Sequence, residues 1–395
     1  MSERPLELLA PAGDFACLEA ALDAGADAVY LGLESLNARR RARNFKPEEF
    51  ARAVAAARAR GTRVYLTLNI DLAEREVGEA ARILELARSC GAAAVLARDP
   101  ALWALLPAFP GLEFHMSTQA CVMNSADAAA AVELGASRVV LAREMSLEEI
   151  QAASAVPKLR TEVFVQGALC CSVSGRCLLS SWGGGRSGNR GACTSPCRVP
   201  WSVAGEPAGT PFSMKDLAAW DRLEDLRRAG VSALKIEGRL KSPQWVRRAV
   251  GLYRRALSEE EPGALAGEVE QLGAVTGREH TSAYLDGRRQ ALTGVWGRKR
   301  GAASAACALE QTSGDDAVYD FDITVEARAL SCRCRWADRE QEWRLPRTAV
   351  RRAAKAVSLR EVLERLGREP VQGLRLGQGR ASDPICFCRL GRSMP

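Results

Sequence analysis

Histidine is almost missing from this chain of 395 residues: His115 and His280 are the only two. An imidazole-rich zinc site, an HExxH metalloprotease helix and a Ser–His–Asp relay are therefore excluded in any ordinary form. No nucleophile can be paired with a base from the sequence. No apolar run approaches the roughly 20 residues that carry a helix across a bilayer. The opening MSERPLELLAPAG lacks the apolar stretch of a secretory signal, so a cytoplasmic protein is expected. A glycine-rich dinucleotide fingerprint after the first apolar run is also lacking, which argues against a doubly wound nucleotide-binding sheet.

What the sequence has in quantity is repetition. Short β-rich runs alternate with Ala-, Leu- and Arg-rich helical stretches at 6–13, 27–33, 63–70, 92–99, 112–120, 137–144, 161–167 and 232–238. Five runs follow a helix tail closed by glycine: ALDAGAD, AARARGT, LARSCGA, AVELGAS and LRRAGVS. Glycine suits the left-handed cap that ends such a helix. Strand–helix alternation implies parallel pairing. Eight units predict an α/β fold, an eight-stranded parallel β/α (TIM-like) barrel, over residues 1–255. A long cysteine-rich insertion after the seventh strand, 167–212, should cap the barrel mouth. Residues 256–310 read as a helical and loop extension, and 311–395 as a small basic α+β region. That last region offers strands in YDFDITVEARAL and SCRCRWADREQEWRL and an Arg-rich helix in RLPRTAVRRAAKAVSLREVLERLGR.

A barrel keeps its chemistry at the C-terminal ends of its strands. Alternation in KIEGRLKS aims Lys235, Glu237 and Arg239 the same way, as an anion site or as a lumen salt bridge. FHMSTQA sets His115, Ser117 and Gln119 on one strand face. A packed core histidine is the commoner fate, yet His115 is the sole barrel side chain suited to acid–base work near neutral pH. We expect Arg143, Lys235 and Arg239 to bind an anionic small cosubstrate, Glu144 and Glu237 to orient it, and His115 to move protons. The net charge of +7 adds a mild bias toward anionic partners such as RNA.

Cysteine is the other surplus, with 13 in the chain and five between 170 and 197. In a reducing compartment, clustered thiols suggest a metal rather than disulfides. Cys170, Cys177, Cys193 and Cys197 are spaced C-x6-C-x15-C-x3-C, with Cys171 beside the first. An irregular spread with glycines between suits an iron–sulfur cluster better than zinc, which favours close pairs; thiols without metal are the third possibility. GGGRSGNRG within the same loop is either an anion-binding nest or a flexible connection.

These motifs, in order, resemble peptidase family U32, the collagenase-like proteases. LLAPAGD, HMSTQA, EVFVQGALCCSVSGRC, FSMKDL and ALKIEGRLKSPQWV carry the likeness over approximately residues 5–300. GGRSGNRG and the run into KDL are most similar to the branch that contains the ribosomal RNA cytidine hydroxylase. The resemblance implies more than one activity. Some relatives are described as collagenases, and others hydroxylate transfer RNA, ribosomal RNA or the ubiquinone ring with a [4Fe–4S] cluster and, in several cases, prephenate. It implies that Cys170, Cys177 and Cys193 are cluster ligands. Some relatives supply the fourth ligand just after KDL, where this chain has Ala218, so Cys197 is the natural substitute and Cys171 the next. Gln166 stands where the family usually has a histidine. The expectation is an iron–sulfur enzyme hydroxylating an RNA base with a prephenate-type oxygen donor. A collagenase-like peptidase and a non-catalytic iron–sulfur or RNA-binding partner are the alternatives.

Overall fold

Every one of the eight runs is a strand in the computed structural model: β1 Glu7–Pro11, β2 Ala28–Leu31, β3 Arg63–Leu68, β4 Ala94–Ala97, β5 Glu113–Met116, β6 Arg138–Val140, β7 Arg160–Ala168 and β8 Ala233–Ile236. The structure describes residues 5–203, 206–258, 262–275, 277–288 and 292–293, and beyond them the backbone of four strands. Neighbouring strands pair in parallel, and β8 bonds both β1 and β7, so the sheet closes on itself. The five helix-ending glycines, Gly25, Gly61, Gly91, Gly135 and Gly230, have φ between 70° and 91°, the left-handed cap that lets each helix turn back into a strand.

The outer strand faces and the inner helix faces form one apolar core, including Leu8, Val29, Leu66, Val139, Leu234, Val246 and Val250. The lumen is different. Branched aliphatics usually fill such barrels, but here Glu7, Tyr65, His115, Arg138, Glu162 and Lys235 are buried there or at its floor.

Two irregularities shape the mouth. Lys235 lies opposite Phe164 and Ile236 opposite Gln166, so β7 carries one extra residue at Val165. Such a bulge re-aims the side chains beyond it. After the cysteine segment the chain returns as Asp216–Ala218, antiparallel to the end of β7, and His280–Thr281 joins that strand in parallel.

By contacts the chain divides into two compact units, residues 1–307 and 308–395. The second holds a four-stranded sheet in the order 339–346, 329–336, 317–325, 374–382, antiparallel except for its last pair. Where the sequence suggests one strand in SCRCRWADREQEWRL, the structure has two that pair from Trp336–Arg339 to Ala329–Pro346. The strand Leu374–Ser382 is an addition to the expectation. Of the expected Arg-rich helix, residues 344–346 close a strand instead, and the remainder lies outside the described residues. Among the described residues no helix is long and apolar enough to cross a membrane.

Candidate active site

The floor of the lumen is a closed ionic network. Arg138 donates to Glu7 through both terminal nitrogens, at 2.8 and 3.0 Å, and to Glu162 at 3.2 Å. Lys235 Nζ donates to the other oxygen of Glu162 at 2.7 Å, and Tyr65 donates its hydroxyl to Glu7 at 2.9 Å. Two buried carboxylates thus face two buried cations, and the pairing offsets a desolvation cost of several kcal/mol per ion. Burial alone would raise the carboxyl of Glu162, but Lys235 and Arg138 hold it below the ordinary range. His115 belongs to this floor. Its side chain is 1% exposed, its Nε2 meets Glu113 at 3.3 Å, and its ring packs edge-on against Tyr65. Burial lowers its affinity for a proton, and its Nδ1 finds no partner among the described residues.

Above the floor lies a polar cleft bordered by Tyr30, Asn69, Ser117, Phe164, Glu237 and Arg239, with Arg39 and Arg143 at its edge. Glu237 is its hub. Arg39 donates to one carboxylate oxygen through Nε at 3.1 Å and through its terminal nitrogen, and Arg143 bonds the other oxygen. Arg143 is also held by the Ala168 carbonyl at 2.8 Å and lies 4.1 Å over the Phe164 ring. Burial would raise the carboxyl of Glu237, but the two guanidiniums outweigh it and bring it to about 2. Arg239 is buried against neutral partners only, the amide oxygens of Asn37 at 3.0 Å and Asn44 at 3.3 Å. Burial, and then the charge of Arg39, lower it to about 10. At neutral pH the cleft therefore holds Arg39, Arg143 and Arg239 against Glu237 alone, a cationic surplus.

The cysteine segment is latched over this mouth. Arg198 donates to the carbonyls of Leu169, at 2.5 Å, and Met214, tying its two ends together. Ser174 donates its backbone N–H and its hydroxyl to Glu144, at 2.6 and 2.8 Å. Arg190 reaches the loop after β3, bonding Glu76 at 2.7 Å and the Asp71 carbonyl at 2.6 Å. Gly175 and Gly191 have φ of +73° and +76°, and a Cβ on either would stand 2.0 or 2.1 Å from the Gln119 or Asn37 carbonyl oxygen. The end of GGGRSGNRG, Arg190 and Gly191, is thus seated on the barrel, while Gly183–Arg186 is exposed.

The strap gathers the thiols. The neighbouring Cys171 thiol, against burial, lowers Cys170 to about 6 and Cys197 to about 7, and the same two neighbours raise Cys171. Burial raises Cys177, which also feels the charges of Cys170, Cys193 and Cys197. The charge of Arg143 favours the Cys170 thiolate and that of Arg198 the Cys197 thiolate, while Cys193 favours the charged form of Arg39. Among the described residues no three Cys, His, Asp or Glu side chains converge tightly enough to hold one ion.

Motif order, barrel and cysteine strap coincide with one sequence family: the model of peptidase family U32 matches residues 13–294. The chain belongs to this family. It is 35% identical to an Escherichia coli protein named 23S rRNA 5-hydroxycytidine C2501 synthase, over 67% of this chain but 42% of that one. It is 34% identical to a Helicobacter pylori protein named tRNA hydroxylation protein P, over 71% of each chain. It is 32% identical to a Porphyromonas gingivalis protein named collagenase, over 77% of this chain and 78% of the other.

Within this U32 chain the expected site residues part company. Glu237, Arg143, Arg239 and Lys235 do border one cleft. Lys235, expected to bind an anion, is committed to Glu162 below it. Glu237, expected to orient the ligand, borders the cleft with its two oxygens bonded to Arg39 and Arg143. Glu144, expected in the cleft, turns to Ser174 and anchors the strap. His115, expected to move protons, is sealed beneath the cleft and bonded toward the N-terminal rim, where Glu113 sits. Gln166 is turned by the β7 bulge to the Tyr253 hydroxyl, 3.0 Å away on the outer helix Pro243–Leu257, so it does not line the cleft. Arg39 was overlooked. Its signal was present in the run NARRRARN after β2, four arginines where a barrel places its chemistry.

Proposed function

We propose that this protein is an iron–sulfur enzyme that hydroxylates a base in RNA, using an anionic oxygen donor of the prephenate type. The observation that supports this reading is that the strap carrying Cys170, Cys177, Cys193 and Cys197 is bonded to the loops around a cationic cleft. The donor set fits a cluster better than a single metal. Four thiolates around one zinc would lie within roughly 4 Å of one another, since each Zn–S bond is about 2.3 Å, and no such focus exists among the described residues. Thiols spread irregularly along a glycine-containing strap, with arginines on the same strap to offset thiolate charge, suit a [4Fe–4S] cluster, which would supply one-electron chemistry at the mouth. The chain's own groups do the rest. Arg239, with no carboxylate partner among the described residues, offers a desolvated cation to a ligand carboxylate. Arg39 and Arg143 are held in place by Glu237, so their orientation is set before a ligand arrives. The strap limits the access of water. RNA as the acceptor is supported by the relatives named for tRNA and rRNA hydroxylation. The peptidase reading finds no support in the histidines. His115 bonds a carboxylate, and His280 Nε2 has no partner among the described residues.

Protein purified without oxygen should be brown, absorb broadly near 400 nm, and contain iron and sulfide. Cys177→Ala should abolish the colour, and Cys171→Ala should keep it. RNA from cells lacking the gene should lose one hydroxylated nucleoside by mass spectrometry, restored by the wild-type gene and not by Cys177→Ala. Colourless protein with stoichiometric zinc, or gelatin cleavage abolished by one substitution in a folded protein, would overturn the reading.

A further inference from the structure

The outer surface of the strap is apolar and cationic at once. Trp182 ends the one-turn helix Leu179–Trp182 and, at 82% exposed, is the most exposed large apolar side chain among the described residues. Leu178 beside it is 55% exposed. An indole held in water without packing is costly to keep, and such residues mark interaction sites. Its short helix is tied into the strap. Two residues earlier, buried Ser180 accepts the Thr194 N–H at 3.1 Å and lies 3.8 Å from Cys193 Sγ. Arg39 feels the charge of Cys193. From Arg39 the chain continues into Arg40, Arg41 and Arg43, all exposed, and strap residue Gly191 packs against Arg40. Arg43 leans toward Glu49 at 3.9 Å, while Arg40, Arg41 and the exposed strap residue Arg186 have no carboxylate partner among the described residues. The strap therefore offers one exposed aromatic face, and the strap and the loop after β2 that it packs against together carry three guanidiniums with no carboxylate partner among the described residues.

We propose that this surface docks a single-stranded RNA segment, with Trp182 stacking on an unpaired base and Arg40, Arg41 and Arg186 holding flanking phosphates. The proposal rests on the RNA reading above and adds where and how the substrate is held. A base inside a duplex is already stacked on both faces, so a projecting indole can serve only an unpaired one. Unpaired arginines beside it match a phosphate backbone better than an apolar protein partner. Stacking on a neighbouring base would also help present the target base to the cleft, as enzymes that modify bases require.

The test uses the full-length protein and a fluorescent single-stranded RNA of about 12 nucleotides, within the site sizes known for such binders, with anisotropy measured over a salt series. Trp182→Ala should weaken binding about 10-fold, the size of one lost stacking contact, without changing the salt slope. Trp182→Tyr should recover most of the affinity, and Trp182→Leu should not. Arg40→Gln with Arg41→Gln should flatten the slope of log affinity against log salt by about 1.4, or about 0.7 per lost phosphate contact. Arg58→Gln, at the far end of the helix Pro47–Ala59, should change nothing. If wild type binds single strands and all the Trp182, Arg40 and Arg41 variants bind as tightly, this placement is wrong while the RNA reading stands. If Trp182→Leu matches wild type, the contact is not stacking and the proposal fails. If wild type binds no RNA at all, the RNA reading falls and takes this one with it.

Discussion

Glu237 shows how one side chain organises a site. Its two oxygens are divided between Arg39 and Arg143, which come from loops 198 and 94 residues away in sequence. Replacing Glu237 with Gln would leave two guanidiniums facing each other at the cleft edge. Losing one partner of a buried pair typically costs about 3–5 kcal/mol, so the urea midpoint of Glu237→Gln should fall well below that of wild type at pH 7. The pH dependence has a definite sign. The folded carboxyl sits at about 2 against an ordinary 4.5, so its contribution is complete above pH 4.5 and is lost as the pH falls toward 2. Midpoints of wild type and Glu237→Gln should therefore converge in that window. A constant gap between pH 6 and pH 3 would show that Glu237 is not held ionised by its neighbours.

The strap is the element on which the site depends, and it has little apolar packing of its own. It is held by Arg198 across its ends, Ser174 on Glu144, Arg190 on Glu76, and the close seating of Gly175 and Gly191. A Cβ at position 191 would have to displace the Asn37 carbonyl, at a backbone angle that L-residues rarely adopt. Gly191→Ala should leave the far-ultraviolet circular dichroism of the barrel intact. It should speed amide hydrogen exchange across residues 170–198 and lower the content of whatever metal the protein binds. Glu144→Gln should do the same more weakly, because the Ser174 N–H keeps a neutral acceptor. Unchanged exchange in both variants would mean that the strap is seated by contacts other than these.

At the scale of the molecule, all eight barrel strands, the cleft and the strap lie within residues 1–307, and the four described strands beyond them form a sheet of their own. A chain ending at residue 307 should therefore keep a cooperative thermal transition and whatever metal the full-length protein binds. Loss of the metal on truncation would assign part of the site to residues 308–395. Loss of RNA affinity with metal retained would give the second unit a part in substrate binding, and the salt slope would report how many phosphates it neutralises.

The sequence by itself determined the barrel. Strand period, helix period and a glycine at five of the turns back into a strand are local signals, and they survived because each unit satisfies its backbone within itself and its neighbour. It also determined where the thiols lie, since ligand spacing is written in the chain. It gave the face of each strand but not the depth. His115 and Lys235 point inward as alternation requires, yet the network of Glu7, Arg138 and Glu162 holds them at the floor, and no local pattern encodes partners that lie up to 131 residues apart. One extra residue in β7 turned Gln166 outward, and a pair of hydrogen bonds drew Glu144 to the strap. Which charges face the cleft was decided by closure of the barrel, because only there do Glu7, Glu162 and Glu237 meet the cations that make their burial tolerable, while Arg239 is left with amide partners alone.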